Sequence, residues 1–152
     1  MNIGIKFKIP NKHGNFLKQI LNKIDSDNFI WKLEDEEEEI YINGTENLFE
    51  LERYTNNDFK KLISKESYYT IFADIKLYEN EDNIVIDKYE DFLKSSCILI
   101  LLITDNIFVE IYSKEEKFLK TIYDNAFRNG FSDINYITED NFKRKKFSSY
   151  SD

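Results

Sequence analysis

The chain has 152 residues, one domain by length, enough to bury about 68–70% of its unfolded surface in a single core without a covalent staple. A net charge of −8 and a pI near 4.8 argue against a nucleic acid partner, whose phosphates are held through Lys and Arg. One cysteine excludes an intramolecular disulfide, one histidine leaves a zinc site short of ligands, and four scattered glycines form neither a Walker loop nor a GxGxxG turn.

In chain order, Ile3, Ile5, Phe7 and Ile9 alternate with Gly4, Lys6 and Lys8, the pattern of a half-buried strand that Pro10 ends. His13 sits between Asn11 and Gly14 and reads as a helix-entry residue. Phe16, Leu17, Ile20, Leu21 and Ile24 follow at helical spacing. Phe29–Leu33 and Glu39–Asn43 are short strand candidates on either side of the acidic run Glu34–Glu39, read as a solvated loop, and the lone Trp31 is read as core. Asn43-Gly44 is a turn. Thr55 or Asn57 is placed to cap a helix with Phe59, Leu62 and Ile63 on its apolar side.

Ser67–Tyr78 alternates over its whole length. Tyr69, Ile71, Ala73, Ile75 and Leu77 point one way, to the core, and Tyr68, Thr70, Phe72, Asp74, Lys76 and Tyr78 the other. The second set mixes rings with charges, as an open sheet face or a groove lining does. A short helix with Tyr89, Phe92 and Leu93 leads into Cys97–Ile103, seven consecutive apolar residues that read as a strand buried on both faces and make Cys97 a core thiol. The run is far too short to cross a bilayer as a helix, which takes about 20 residues. Asp105-Asn106 suits a type I′ turn, so the alternating Ile107–Tyr112 closes a hairpin. Ser113-Lys114-Glu115-Glu116 has the form of a capping box. After it, Phe118, Leu119, Ile122, Tyr123, Ala126 and Phe127 share a helix face, and Gly130 stands at the C-terminal cap position. Ile134–Ile137 is a last strand.

The residue pattern thus predicts an α+β fold: a single domain over residues 1–138, with a mixed or mostly antiparallel sheet and helices packed on one face, then a loosely ordered tail over 139–152. The opening GIKFKIPN, the GNFL that follows it, Trp31 after Asn28-Phe29, the strand FVEIY at Phe108–Tyr112 and YIT at Tyr136–Thr138 resemble a small bacterial family catalogued as domain of unknown function 2691. The resemblance spans nearly the whole chain. It implies no activity, cofactor or partner, and brings no functional residues with it.

Function is read from charge and aromatic content. The absence of a basic-then-apolar leader points to the cytoplasm, with no membrane role. The acidic run lacks the spaced ligands and central glycine of an EF-hand loop, and no metal, cofactor or catalytic group is assigned. Aromatics make up 16% of the chain, more than one core of this size needs. The first reading is a non-enzymatic module that binds a basic protein through Asp35, Glu36, Glu37 and Glu38 and through the mixed strand face of Tyr68, Phe72, Asp74, Tyr78 and Glu110, by analogy with immunity proteins. The alternative is a small-molecule binder or enzyme with a pocket over the Ser67–Tyr78 strand, where Asp74 and Glu110 converge as a carboxylate pair.

Overall fold

The computed structural model describes residues 1–25, 27–34, 39–144 and 146–147. Its elements are β1 (Asn2–Lys8), α1 (Phe16–Leu21), β2 (Ile30–Leu33), β3 (Glu39–Ile42), β4 (Glu46–Asn47), β5 (Arg53–Thr55), α2 (Asn56–Ile63), β6 (Tyr69–Tyr78), α3 (Tyr89–Lys94), β7 (Cys97–Thr104), β8 (Phe108–Ser113), α4 (Glu116–Arg128) and β9 (Ser132–Thr138). The strands form one antiparallel sheet in the order β4-β3-β6-β7-β8-β1-β9, with β2 beside β6 and β5 outside β2. The apolar run makes β7 the middle of this sheet, and Leu99, Ile100, Leu101 and Ile103 are fully buried.

Between β7 and β8 the chain turns through Asp105 and Asn106 at φ 55° and 58°, the left-handed pair a type I′ turn demands. Asn106 is itself buried, and its amide donates to Asn11 Oδ1 at 2.8 Å. The outer edge of β6 is shared. Its second half, Ile75–Tyr78, pairs with β2, and its first half, Tyr69–Phe72, pairs with β3.

Helices α1, α2 and α4 cover one face of the sheet. Phe16, Leu17, Ile20 and Leu21 of α1, Phe59 and Ile63 of α2, and Leu119, Ile122 and Ala126 of α4 pack there on Ile5, Phe7, Ala73, Ile75, Leu77, Leu99, Leu101 and Ile111. Trp31 belongs to this core, stacked on Phe59 with ring centroids 4.2 Å apart and donating Nε1–H to Asn56 Oδ1 at 2.9 Å. That bond satisfies the one polar atom a buried indole carries. Thr55 caps α2, its Oγ1 accepting from the Asp58 N–H at 3.2 Å. At the end of α4, Gly130 has φ 73° and the Phe131 N–H reaches back to the Ala126 carbonyl at 3.0 Å, a Schellman closure that fixes the turn into β9.

Several details differ from the sequence reading, each for a local reason. Ser113–Glu116 forms no capping box. Ser113 is still the last residue of β8, its Oγ accepts from the Glu115 N–H, and the helix starts at Glu116, two residues later than a Ser113 N-cap requires. Phe127 lies at 71% exposure because Ala126 already occupies the sheet-facing position in that turn. The sheet has a second covered face. Phe92 of α3, Tyr112, Ile100, Leu102, Ile3 and Ile137 form a smaller core there, and Phe147 and Phe142 join it. Phe147 keeps 3% exposure, so residues 142–144 and 146–147 are a docked strap, in contrast to the loose tail expected over 139–152 from its charge; Lys145 and residues 148–152 lie outside the described residues. The sequence reading underweighted two phenylalanines because four basic residues lie among them.

Candidate functional site

The second face is where charge meets the sheet. Register sets its rows: Asp74 (β6), Leu102 (β7), Glu110 (β8), Lys6 (β1) and Asn135 (β9) lie side by side, and so do Lys76, Ile100, Tyr112, Gly4 and Ile137. Asp74 and Glu110 therefore share a face but stand two strands apart, about 10 Å, with Leu102 between them. They do not converge as a pair. Nor are they ordinary exposed charges, because each is matched to its own cation.

Asp74 is fully buried. Its Oδ1 accepts from Lys76 Nζ at 2.7 Å, and Lys76, whose side chain is 3% exposed, also faces Glu34 Oε1 at 3.5 Å. Burial works against the Lys76 charge, but the Asp74 and Glu34 carboxylates outweigh it and hold the ammonium above the usual lysine range. Glu34 is fixed here because its N–H donates to the Asp74 carbonyl at 3.1 Å, which carries the chain one step past β2.

Tyr78, on the same strand face, has its phenol pushed up by burial and by nearby negative charge. The Cys97 thiol opposite it is pushed up to about 12, chiefly by burial, so it stays a neutral apolar wall.

Over Asp74, Lys76 and Tyr78 opens a cleft of about 710 Å³. Residues 81–87 wall it on one side, Phe147 on another, and Lys32, Glu34 and Arg53 form the rim. The Arg53 guanidinium meets Glu81 at 2.6 Å across the mouth. Asp82 is committed to structure: the Ser96 N–H and hydroxyl donate to it, and these bonds hold its carboxyl below the usual range. Among the described residues, five carboxylates (Glu34, Asp74, Glu81, Asp82 and Asp87) thus face three cations (Lys32, Arg53 and Lys76), a surplus of negative charge next to an apolar lip of Ile84, Val85 and Ile86.

Glu110 belongs to a separate cluster. Arg144 grips it through two bonds, Nε to Oε1 at 3.2 Å and Nη2 to Oε2 at 2.8 Å, and the Tyr112 hydroxyl donates to Oε1 at 2.5 Å. Burial alone would raise its pKa, but Arg144 and Tyr112 prevail and hold it below the usual glutamate range. The Tyr112 ring lies flat on the sheet where β1 supplies Gly4. A Cβ on Gly4 would sit 2.6 Å from the Ile111 carbonyl oxygen and 2.9 Å from Tyr112 Cδ1.

Of the other residues singled out from sequence, Asp35, Glu36, Glu37 and Glu38 lie outside the described residues. Phe72 is half-buried opposite Glu39, away from the cleft. Tyr68 is not on the mixed face. It precedes β6, bridges to Gly14, and is buried under α1, its hydroxyl donating to the Ile63 carbonyl at 2.7 Å and accepting from the Lys18 N–H at 3.3 Å. Period-two alternation cannot be extended back across that break in the strand. Sequence reasoning missed Lys76, Glu34 and Arg144 as site residues. Asp74-x-Lys76 within one apolar-flanked strand is a legible signal for a paired charge, whereas Glu110 and Arg144 are 34 positions apart and nothing local links them.

A family model described as "Protein of unknown function (DUF2691)" matches residues 2–148. A curated relative, "Uncharacterized protein YncE" of Bacillus subtilis (strain 168), is 33% identical over 148 residues, spanning 95% of this chain and 97% of its own length. No solved structure matches the chain significantly.

Proposed function

Taking as premise that this chain belongs to the DUF2691 family, whose description names no activity, we propose from the cleft that it is a cytoplasmic binding module for a basic protein, which places a cationic side chain beside Glu34 and Asp87. The surplus negative charge of the cleft carries this reading. The acidic run continues in sequence directly from Glu34 at the rim, and its charge adds to the attraction a basic partner meets on approach. The apolar lip of Ile84 and Val85, at 38% and 84% exposure, suits the methylene stem of a Lys or Arg. Asp74 is engaged by an ammonium and Lys76 is held charged, so the lysine offers no free amine base; this favours binding over catalysis.

The test is association kinetics with the protein captured from its own cells, at low and high salt. Replacing Asp35, Glu36, Glu37 and Glu38 by Ser or Gln is expected to slow association and flatten its salt dependence, because exposed charges act over about 8 Å at physiological ionic strength. Glu34→Gln with Asp87→Asn is expected to speed dissociation. Unchanged rates and salt slopes in both variants refute the reading. A second reading, a small polar ligand in the same cleft, draws support from its volume, within the roughly 300–1,000 Å³ of small-molecule sites.

A further inference from the structure

The strap over residues 142–147 is attached unlike any other part of the chain. It joins no strand among the described residues, and β9 ends before it at Thr138. Side chains hold it. Arg144 enters the two-bond grip on Glu110, Phe147 packs edge-on against Phe92 at 5.9 Å and beside Tyr112 at 4.8 Å, and Phe142 meets Tyr112 at 5.6 Å. Among the described residues one backbone bond accompanies them, from the Phe147 N–H to the Asp87 carbonyl on the cleft wall. This is how a short peptide ligand sits on a protein surface: an arginine clamped by a preformed carboxylate, flanked by aromatic residues in pockets. The receiving side is built ahead of it, since Gly4 clears the sheet for the Tyr112 ring and Tyr112 aims its hydroxyl at Glu110.

We propose that the sheet face under residues 142–147 is a docking groove for a partner segment with an arginine between two aromatic residues, and that the chain's own C-terminal segment is its resident competitor. The proposal takes from the preceding reading only that the partner is a basic protein, and it supplies the form of the partner's contact. Because Phe147 also walls the cleft, the partner aromatic that takes its place stands at the edge of the acidic recess. A partner that offers both a clamped arginine and a further cation gains two contacts by one exchange. A tethered segment competes at an effective concentration of about a millimolar, so a free ligand must match its chemistry to displace it.

The probe is a labelled synthetic peptide of residues 139–152, EDNFKRKKFSSYSD, titrated by anisotropy into the full chain. The full-length double variant Arg144→Gln/Phe147→Ser, with its own segment unpinned, is expected to bind the peptide at least about tenfold more tightly than the wild type, in which the tether competes. A peptide with Gln at the Arg144 position is expected not to bind. A variant with native Trp31 fluorescence that takes up no peptide at about 1 mM, or that binds both peptides equally, overturns the proposal. Hydrogen exchange on the wild type decides the matter if the variant does not fold. The Phe147 amide, which is bonded to the Asp87 carbonyl, is expected to exchange at least about 100-fold faster than the amides of β7, and its exchange only through global unfolding overturns the proposal. Failure of the cleft reading shows separately, as unchanged partner kinetics in Glu34→Gln/Asp87→Asn.

Discussion

Lys76→Met removes the ammonium from a carboxylate that has no access to water. At 2.7 Å and an effective dielectric of about 20, the gross attraction between Asp74 and Lys76 is about 6 kcal/mol, most of it offset by taking both groups out of solvent. The net value of the pair is therefore small, but the cost of breaking it is not. Either Lys76→Met or Asp74→Asn strands one charge of the pair in the interior, and each is expected to cost about 3–5 kcal/mol. Glu34, at 3.5 Å and 37% exposed, softens the Asp74→Asn loss more than the other, since it remains as a partner for Lys76. The double change Asp74→Leu/Lys76→Met keeps the volume and buries no charge. It is expected to be neutral or stabilising by up to about 4 kcal/mol. Urea unfolding followed by the fluorescence of Trp31, fully buried, reads all three variants. With a slope of about 2 kcal/mol/M, the single variants should lower the midpoint by about 1.5–2.5 M. Single variants within about 0.5 M of wild type, or a double variant that loses the sum of both, would refute the view that this pair is a matched charge in a dry site.

Three further outcomes follow from the same geometry. Gly4→Ala forces a Cβ against the Ile111 carbonyl, which is backbone and cannot step aside, and is expected to cost about 1–3 kcal/mol by calorimetric melting; a wild-type melting temperature would show that the Tyr112 ring does not need the glycine. Phe147→Ala is expected to cost about 3 kcal/mol, the low end for a buried phenylalanine, and a loss under about 0.5 kcal/mol in urea unfolding would return residues 142–147 to the status of a loose tail. Glu110 has a folded pKa below its unfolded one, so it binds its proton more weakly in the native state. Its contribution is full above the ordinary glutamate range and is lost as pH falls through that range toward the folded pKa. Glu110→Gln should therefore flatten the acid limb of stability against pH and change nothing in the slope above pH about 6; an unaltered acid limb would contradict the Arg144 grip.

What the sequence made legible was whatever neighbouring residues decide. The hairpin through Asp105-Asn106, the closure of α4 at Gly130 and the cap at Thr55 each depend on a few adjacent residues, and each is where the pattern puts it. The central position of β7 was legible for a different reason, since only a strand covered on both sides tolerates an unbroken apolar run. The site was legible only in part. Alternation along β6 put Asp74 and Tyr78 on one face with Lys76, but how a charge is matched depends on which strands come alongside, and that is decided by pairings far apart in the chain. Arg144 reaches Glu110 from beyond the last strand, and its basic neighbours disguised it as solvated tail. Tyr68 failed the alternation because an isolated bridge to Gly14, not a ladder, sets its direction.

The shared edge of β6 has a consequence for chain length. β2 and β3 both run antiparallel to β6 and follow one another along it, so they amount to one outer strand interrupted between Glu34 and Glu39. Glu34 bonds opposite Asp74 and Glu39 pairs opposite Phe72, five steps of chain set against two. The acidic run is thus an insertion, in the sense of an indel, whose ends are fixed by the ladder and whose length is not. Because register parity sets which face each side chain takes, a deletion of about three residues there would let the outer strand close without turning Glu39 over. Between those fixed ends the chain can gain or shed residues at little cost to the fold, because loop closure grows only slowly with length.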